Sequence, residues 1–243
     1  MTSSLPSSWL QALRVYMHPR VLGMLTLGFS AGLPLLLIMG TLSFWLREAG
    51  IDRTTIGHLS WIGLAYSVKW MWSPLVDRLP LPLLTRLLGR RRAWLLLSQV
   101  IITIALVGMA MTDPQMDLAQ LVFFALAVAF ASATQDIALD AYRIEAVAVE
   151  LQGAMAATYQ AGYRMAMILA SAGVLWIAAA MDISDITYEH APWRIAYLIM
   201  ALSMSIGIVT TVLISEPDVA YDRLSSENEQ IAITLRRWRW RKT

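Results

Sequence analysis

Lys69, Asp136, Asp140 and Arg164 sit inside stretches of sequence that are otherwise apolar enough to cross a bilayer. An ionised side chain at bilayer depth costs about 2.5 kcal/mol or more, so such residues face a bundle interior or a wet cavity and pair with one another. Asp136 and Asp140 are four residues apart, which puts both carboxylates on one helical face. Desolvation and a neighbouring carboxylate raise proton affinity, while a nearby Lys or Arg lowers it. Such a group can load and release a proton as a cavity opens and closes. The alternative is a fixed pair, with the aspartates neutralising Lys69 or Arg164. An arginine stays charged throughout, which suits holding an anion better than carrying a proton.

Depth separates the two cations. Lys69 is eight residues from Asp77, about 12 Å along a helix, and its long stem could snorkel to the interface. Arg164 is 14 residues beyond Glu150, about 21 Å by the same rise, too deep to snorkel easily. Ser132, Thr134 and Gln135 add polar groups beside the aspartates. Together these residues imply a polar pathway through a helical membrane protein, and transport as the function class.

The elements that must position them are legible from charge-free runs. The chain of 243 residues is 58% hydrophobic and 15% charged, with mean hydropathy +0.57. Val21 to Leu46 is uncharged for 26 residues, Ala93 to Thr112 for 20, Leu118 to Gln135 for 18 and Ile195 to Ser215 for 21. About 20 helical residues cross the hydrocarbon core. Thr54 to Pro74 and Ala154 to Met181 qualify as well, each with one internal cation, Lys69 or Arg164. The reading is an all-α polytopic bundle with six spans, over approximately 21–46, 54–76, 92–112, 118–142, 152–181 and 194–215, within a bundle of residues 20–217. Outer-membrane barrel strands are shorter and alternate in polarity, so a barrel is excluded.

Fourteen of the nineteen Lys and Arg residues fall on one side of these spans and three, Arg47, Arg53 and Arg194, on the other. The positive-inside bias therefore predicts both termini in the cytoplasm. Residues 1–19 form a polar cytoplasmic segment with no apolar core of a signal peptide. Residues 218–243 form a basic, aromatic tail: a capping box at Ser226 to Glu229 precedes Arg236-Arg237-Trp238-Arg239-Trp240-Arg241-Lys242, suited to an anionic bilayer surface. A disordered tail is the alternative. Gly50 and Asp52 read as the stop and cap between spans one and two, and Asp113-Pro114 as the end of span three. Gly57, Tyr66 and Lys69 are echoed by Gly153, Tyr163 and Arg164 in a span of opposite direction, as an inverted three-plus-three repeat would produce. Gly23, Gly28, Gly32, Pro34 and Gly40 make span one either a hinge or a close-packing helix.

Enzyme readings fare poorly. With no cysteine there is no thiol catalysis, and His18, His58 and His190 lie outside or at the ends of spans, where none can serve an intramembrane serine as base. No catalytic residue and no metal ligand set is assigned, no phosphate loop occurs, and no nucleic-acid partner is implied.

Several stretches resemble a known family. Asp77-Arg78 followed by Gly89-Arg90-Arg91-Arg92 is similar to the loop signature of the major facilitator superfamily. Residues 27–34 (LGFSAGLP), 72–78 (WSPLVDR), 89–94 (GRRRAW), 132–141 (SATQDIALDA) and 162–164 (GYR) resemble, in order, the AmpG-type muropeptide permeases, and Lys69 matches an intramembrane lysine of that family. The resemblance covers about residues 18 to 217, only the first of the family's two six-helix halves. It implies a multi-pass protein of the bacterial inner membrane that imports anhydro-muropeptides for cell-wall recycling. The resemblance further implies that the proton gradient drives import and that no cofactor is needed. The alternatives are a carrier of another organic anion, such as acetyl-CoA, and a truncated, non-transporting membrane protein. On this reading Lys69, Arg164, Gln135 and Tyr163 hold an anionic sugar-peptide and Asp136 or Asp140 carries the proton. Asp77, Arg78, Arg90 and Arg143 form a gate, with Asp77 accepting bonds from Arg143 or from the end of span five. A second six-helix half, or a second copy, completes the cavity.

Overall fold

The computed structural model describes residues 15–147, 149–182 and 187–217. The first 14 residues, with Arg14, the tail from residue 218, and residues 183–186 of the external loop lie outside the described residues. Five helices are long and apolar enough to cross a membrane: α1 (Pro19–Glu48), α6 (Arg90–Met111), α7 (Leu118–Glu145), α8 (Glu150–Met181) and α9 (His190–Leu213).

The span expected over 54–76 is not one helix. It runs as α2 (Arg53–Leu59), a 3₁₀ turn Ser60–Gly63, α3 (Leu64–Ser67), a second 3₁₀ turn Lys69–Met71 and α4 (Ser73–Arg78). Thr54, Thr55, Gly57, Ser60 and Gly63 are poor helix formers, and Pro74 removes a donor and disfavours a helical residue before it. Val68 and Trp72, flanking the second turn, accordingly sit at φ −98° and −108° with ψ near zero. From Ser60 to Arg78 the pieces lie along α7, so the segment traverses the bundle despite its breaks. A short α5 (Leu84–Leu88) leads into α6.

Glycine decides how α1 meets α8. A Cβ at Gly28 would fall on the carbonyl of Tyr159, one at Gly32 on that of Tyr163, and one at Gly162 on that of Leu25. Only hydrogen at these three positions lets the two backbones touch, the small-residue packing of membrane helices. Gly28 and Gly32 of α1 thus serve close packing. Beyond Pro34 the helix widens into a π turn at Leu37–Thr41, and α8 has its own π turn at Leu169–Gly173. The two turns meet: Thr41 Oγ1 donates to the Ala170 carbonyl at 2.5 Å, and Tyr197 Oη from α9 donates to that of Leu37 at 2.9 Å.

Two apolar clusters form the core. One, around Leu33, Leu37, Trp45, Ile102, Leu121 and Trp193, fills the arginine-poor end. The other, around Met24, Leu27, Val76, Leu95, Ile137 and Met155, fills the arginine-rich end. Between them sit polar residues from four of the traversing segments: Ser30 on α1, Lys69 on the broken segment, Gln99 on α6, and Ser132, Gln135 and Asp136 on α7. The bundle has a polar waist.

Candidate functional site

At the waist, the break in the second segment places Lys69 on α7. Its Nζ lies 3.6 Å from Asp136 Oδ2, with the lysine side chain 34% and the aspartate 15% exposed. That separation joins opposite charges without a good hydrogen bond. The other carboxylate oxygen, Asp136 Oδ1, is buried with no partner, as are Tyr66 Oη and Ser132 Oγ. Ser132 and Asp136 are one helical turn apart on α7. Tyr66 approaches Ser132 and feels the charge of Asp136, without closing a hydrogen bond of proper geometry. Trp72 Nε1, one turn beyond Lys69, donates to Thr134 Oγ1 at 3.2 Å.

Gln135 faces the other way, fully buried, and donates through Nε2 to Ser30 Oγ at 3.2 Å while its Oε1 has no partner. Gly207 of α9 leaves room for Ser30 and the Gln99 amide, and Thr211 Oγ1 donates to Gln99 Oε1 at 2.9 Å. A buried polar group left without a partner costs about 1–3 kcal/mol, so several in one layer mark a site built to receive something. On the α8 side, Tyr159 and Tyr163 stand 5.8 Å apart, and both lie within electrostatic reach of Asp136.

The sequence-predicted residues therefore divide. Lys69, Asp136, Gln135 and Tyr163 gather around one layer. Asp140 is half exposed one turn further along and pairs with Arg143 at 3.3 Å, while Arg143 also covers the Tyr159 ring at 5.5 Å. Asp140 still acts electrostatically on Asp136. Arg164 does not join them: it is exposed, and its contact is Met167 Sδ at 3.9 Å. The echo between Lys69 and Arg164 thus leads to opposite environments, one cation paired inward and the other bare.

The gate residues need a correction. Asp77 pairs not with Arg143 or with the end of α8 but with Arg91, at 2.6 Å. Arg91 Nε and Nη2 also form a fork on Glu145 at 3.0 and 2.7 Å, so one guanidinium ties α4, α6 and α7 together. Arg143 lies two residues before Glu145 on α7 and is engaged by Asp140. Arg78 and Arg90 make no ion pair among the described residues. Glu216 completes the knot by accepting from the backbone N–H of Arg91 at 2.8 Å and of Arg92 at 3.2 Å, capping the start of α6. Arg92 in turn donates to the Thr211 and Val212 carbonyls at the end of α9. Sequence alone read these arginines as topogenic charge. The signal for Arg91 was its place between an Asp and a Glu at the ends of two other spans.

The opposite end is held by aromatics instead. Trp45 stacks between His190 and Trp193 at 5.9 and 5.7 Å. Its indole donates to Tyr188 Oη, which donates to Asp113, and Trp193 donates to Glu48. Burial pushes the Tyr188 phenol above its ordinary range. Asp52 caps α2 through the Thr54 and Thr55 amides at 2.9 Å, and the Thr55 hydroxyl holds its carboxyl below the usual range. Among the described residues no group of three His, Cys, Asp or Glu side chains could hold a metal ion.

The sequence has known relatives. The family model of the Major Facilitator Superfamily matches residues 6–241. The anhydromuropeptide permease of Escherichia coli (strain K12) is 38% identical over 207 residues, 85% of this chain and 40% of that protein. A Rickettsia felis protein named AmpG 4 is 33% identical over 212 residues, 87% of this chain and 49% of that protein. The chain thus spans less than half the length of these relatives.

Proposed function

This chain belongs to the major facilitator superfamily, within its AmpG-type branch, and we propose that it supplies six spans of a proton-coupled permease for anhydro-muropeptides. The observation that carries the reading is the Lys69–Asp136 pair in the polar waist. The pair is loose at 3.6 Å, and the second carboxylate oxygen is buried without a partner. A carboxylate so placed exchanges partners at low cost: protonation frees Lys69, and a substrate carboxylate then takes the ammonium. Gln135 and Tyr163 line the same layer and hold the sugar-peptide by hydrogen bonds. Asp136 carries the proton, and Asp140, half exposed beside Arg143, relays it from the arginine-rich end.

Arg164 belongs to a different part of the assembly. On an exposed face of α8 it binds a substrate carboxylate only once a second wall closes over it. A second six-helix half, or a second copy of this chain, provides that wall. The protein lies in the bacterial inner membrane with its arginine-rich end cytoplasmic. Reporter fusions after Thr112 should then read as periplasmic and a fusion at Thr243 as cytoplasmic; the reverse pattern refutes the orientation.

Uptake of a labelled anhydro-muropeptide in cells lacking their own permease tests the function. The chain is expressed alone and with a second six-helix half. Accumulation that an uncoupler abolishes is expected in the paired arrangement. No accumulation in either arrangement rejects the transport reading, and accumulation that ignores the uncoupler rejects proton coupling.

A further inference from the structure

Two of the three arginines at the arginine-poor end line one pocket. Arg47 closes the last turn of α1, Arg53 opens α2, and between them lies a pocket of about 240 Å³ whose remaining lining is Ser43, Phe44 and Ile56. This end is depleted in cations, so two at one pocket are not the residue of a generally basic surface. Neither arginine makes an ion pair or a side-chain hydrogen bond among the described residues. Acids stand next to both in sequence, yet they are engaged elsewhere: Glu48 accepts from Trp193 Nε1 at 3.0 Å, and Asp52 caps α2. The two guanidinium groups are left without a carboxylate partner among the described residues because the neighbouring carboxylates fasten the fold.

The order of residues along the two helices gives the pocket a polarity. Phe44 lies three residues below Arg47 and Ile56 three below Arg53, each about 4.5 Å deeper toward the bilayer centre. Charged donors thus stand at interface level with apolar walls beneath them, and Phe44 is 61% exposed. A soluble anion would match the rim and leave the walls wetted. A phospholipid matches both, its phosphate on the guanidinium forks and the start of an acyl chain along Phe44 and Ile56. With two cations that make no ion pair among the described residues, a headgroup without its own ammonium fits best.

We propose that the Arg47–Arg53 pocket binds an anionic phospholipid of the adjoining leaflet through its phosphate. The site is separate from the waist and does not depend on what the protein carries.

Native mass spectrometry of the detergent-purified chain, titrated with phosphatidylglycerol and with phosphatidylcholine, tests it. Retention of phosphatidylglycerol over phosphatidylcholine is expected, with at least about a tenfold loss for each arginine replaced in R47Q and R53Q. Both side chains are on the surface, and an unchanged melting temperature confirms that the variants fold. R194Q, which removes the third cation of this end from outside the pocket, should retain the lipid as the unmodified chain does. Equal retention of both lipids, undiminished retention in the R47Q/R53Q double variant, or an equal loss in R194Q would overturn the proposal. Displacement of the lipid by millimolar inorganic phosphate would also overturn it, by showing a site for soluble anions.

Discussion

Two ionic centres draw on the same helix, α7, at Asp136 and at Glu145, about two and a half turns apart. At the arginine-rich end, Arg91 reaches Asp77 and Glu145 at 2.6 to 3.0 Å and its backbone is capped by Glu216. At the waist, Lys69 and Asp136 stand 3.6 Å apart with one carboxylate oxygen bare. The first is a guanidinium held by three charge-assisted bonds to two carboxylates, so that it cannot leave without breaking all three. The second is a point charge on a flexible stem beside a half-satisfied acid. Bond count and donor geometry, more than depth, distinguish a fastening from a site that can change partners.

Arg91→Ala should have the largest effect on stability. It strands Asp77 and Glu145 and opens the junction of α4, α6 and α7. Breaking a buried pair costs about 3–5 kcal/mol, and the lower end applies because the Asp77 side chain is 45% exposed. The check is the melting temperature in detergent, with Asp77→Asn as a milder companion. If Arg91→Ala melts as the unmodified chain does, the cluster is not a fastening and the contrast with the waist collapses.

Much of this was legible in the residues. Uncharged runs of 18 to 26 residues announce four of the long helices, and one internal cation each in two further runs announces the intramembrane charges. Periodicity could not show that the second run would break, because an apolar run of this length reads alike as one helix or as several short ones, and the local signal lay in Gly57, Gly63 and Pro74. Pairing was the least legible. Asp77 has Arg78, Arg90, Arg91, Arg92 and Arg143 as cations of its own end, and only the approach of α6 to α4 and α7 selects Arg91. The exposure of Arg164 was not legible for a related reason: depth along a helix is readable, but which way the helix turns its face depends on Gly28, Gly32 and Gly162 locking α8 onto α1.

Asp136→Asn should cost less in stability, on the order of 1 kcal/mol or below, because Lys69 is 34% exposed and can turn away when its partner is neutral. Its effect on transport should be the opposite in scale. Uphill, proton-driven uptake is abolished while substrate exchange continues, since an amide cannot be ionised in one half of the cycle and neutral in the other. Asp140→Asn, removing a half-exposed acid, should slow uptake without abolishing it. Uphill uptake with normal pH dependence in Asp136→Asn would remove the waist acid from the proton route.

Arg164→Ala should disturb stability least, within about 0.5 kcal/mol, as expected for a surface position without ion pairs. Among the described residues the exposed guanidinium makes one side-chain hydrogen bond, to the Met167 thioether, and no ion pair that its loss would strand. A structural cation of this depth would have a carboxylate beside it, as Lys69 has. The absence of stability cost therefore isolates a binding role: in the paired, transporting arrangement the same change should raise the substrate concentration for half-maximal exchange about tenfold or more, one charge-assisted bond to a carboxylate. The conservative Arg164→Lys should recover only part of it, because a lone ammonium cannot grip both carboxylate oxygens in a fork. A melting temperature lowered as far as in Arg91→Ala would instead make Arg164 a fastening whose partner lies in the second wall, and the two kinds of ionic centre would then differ by position rather than by bond count.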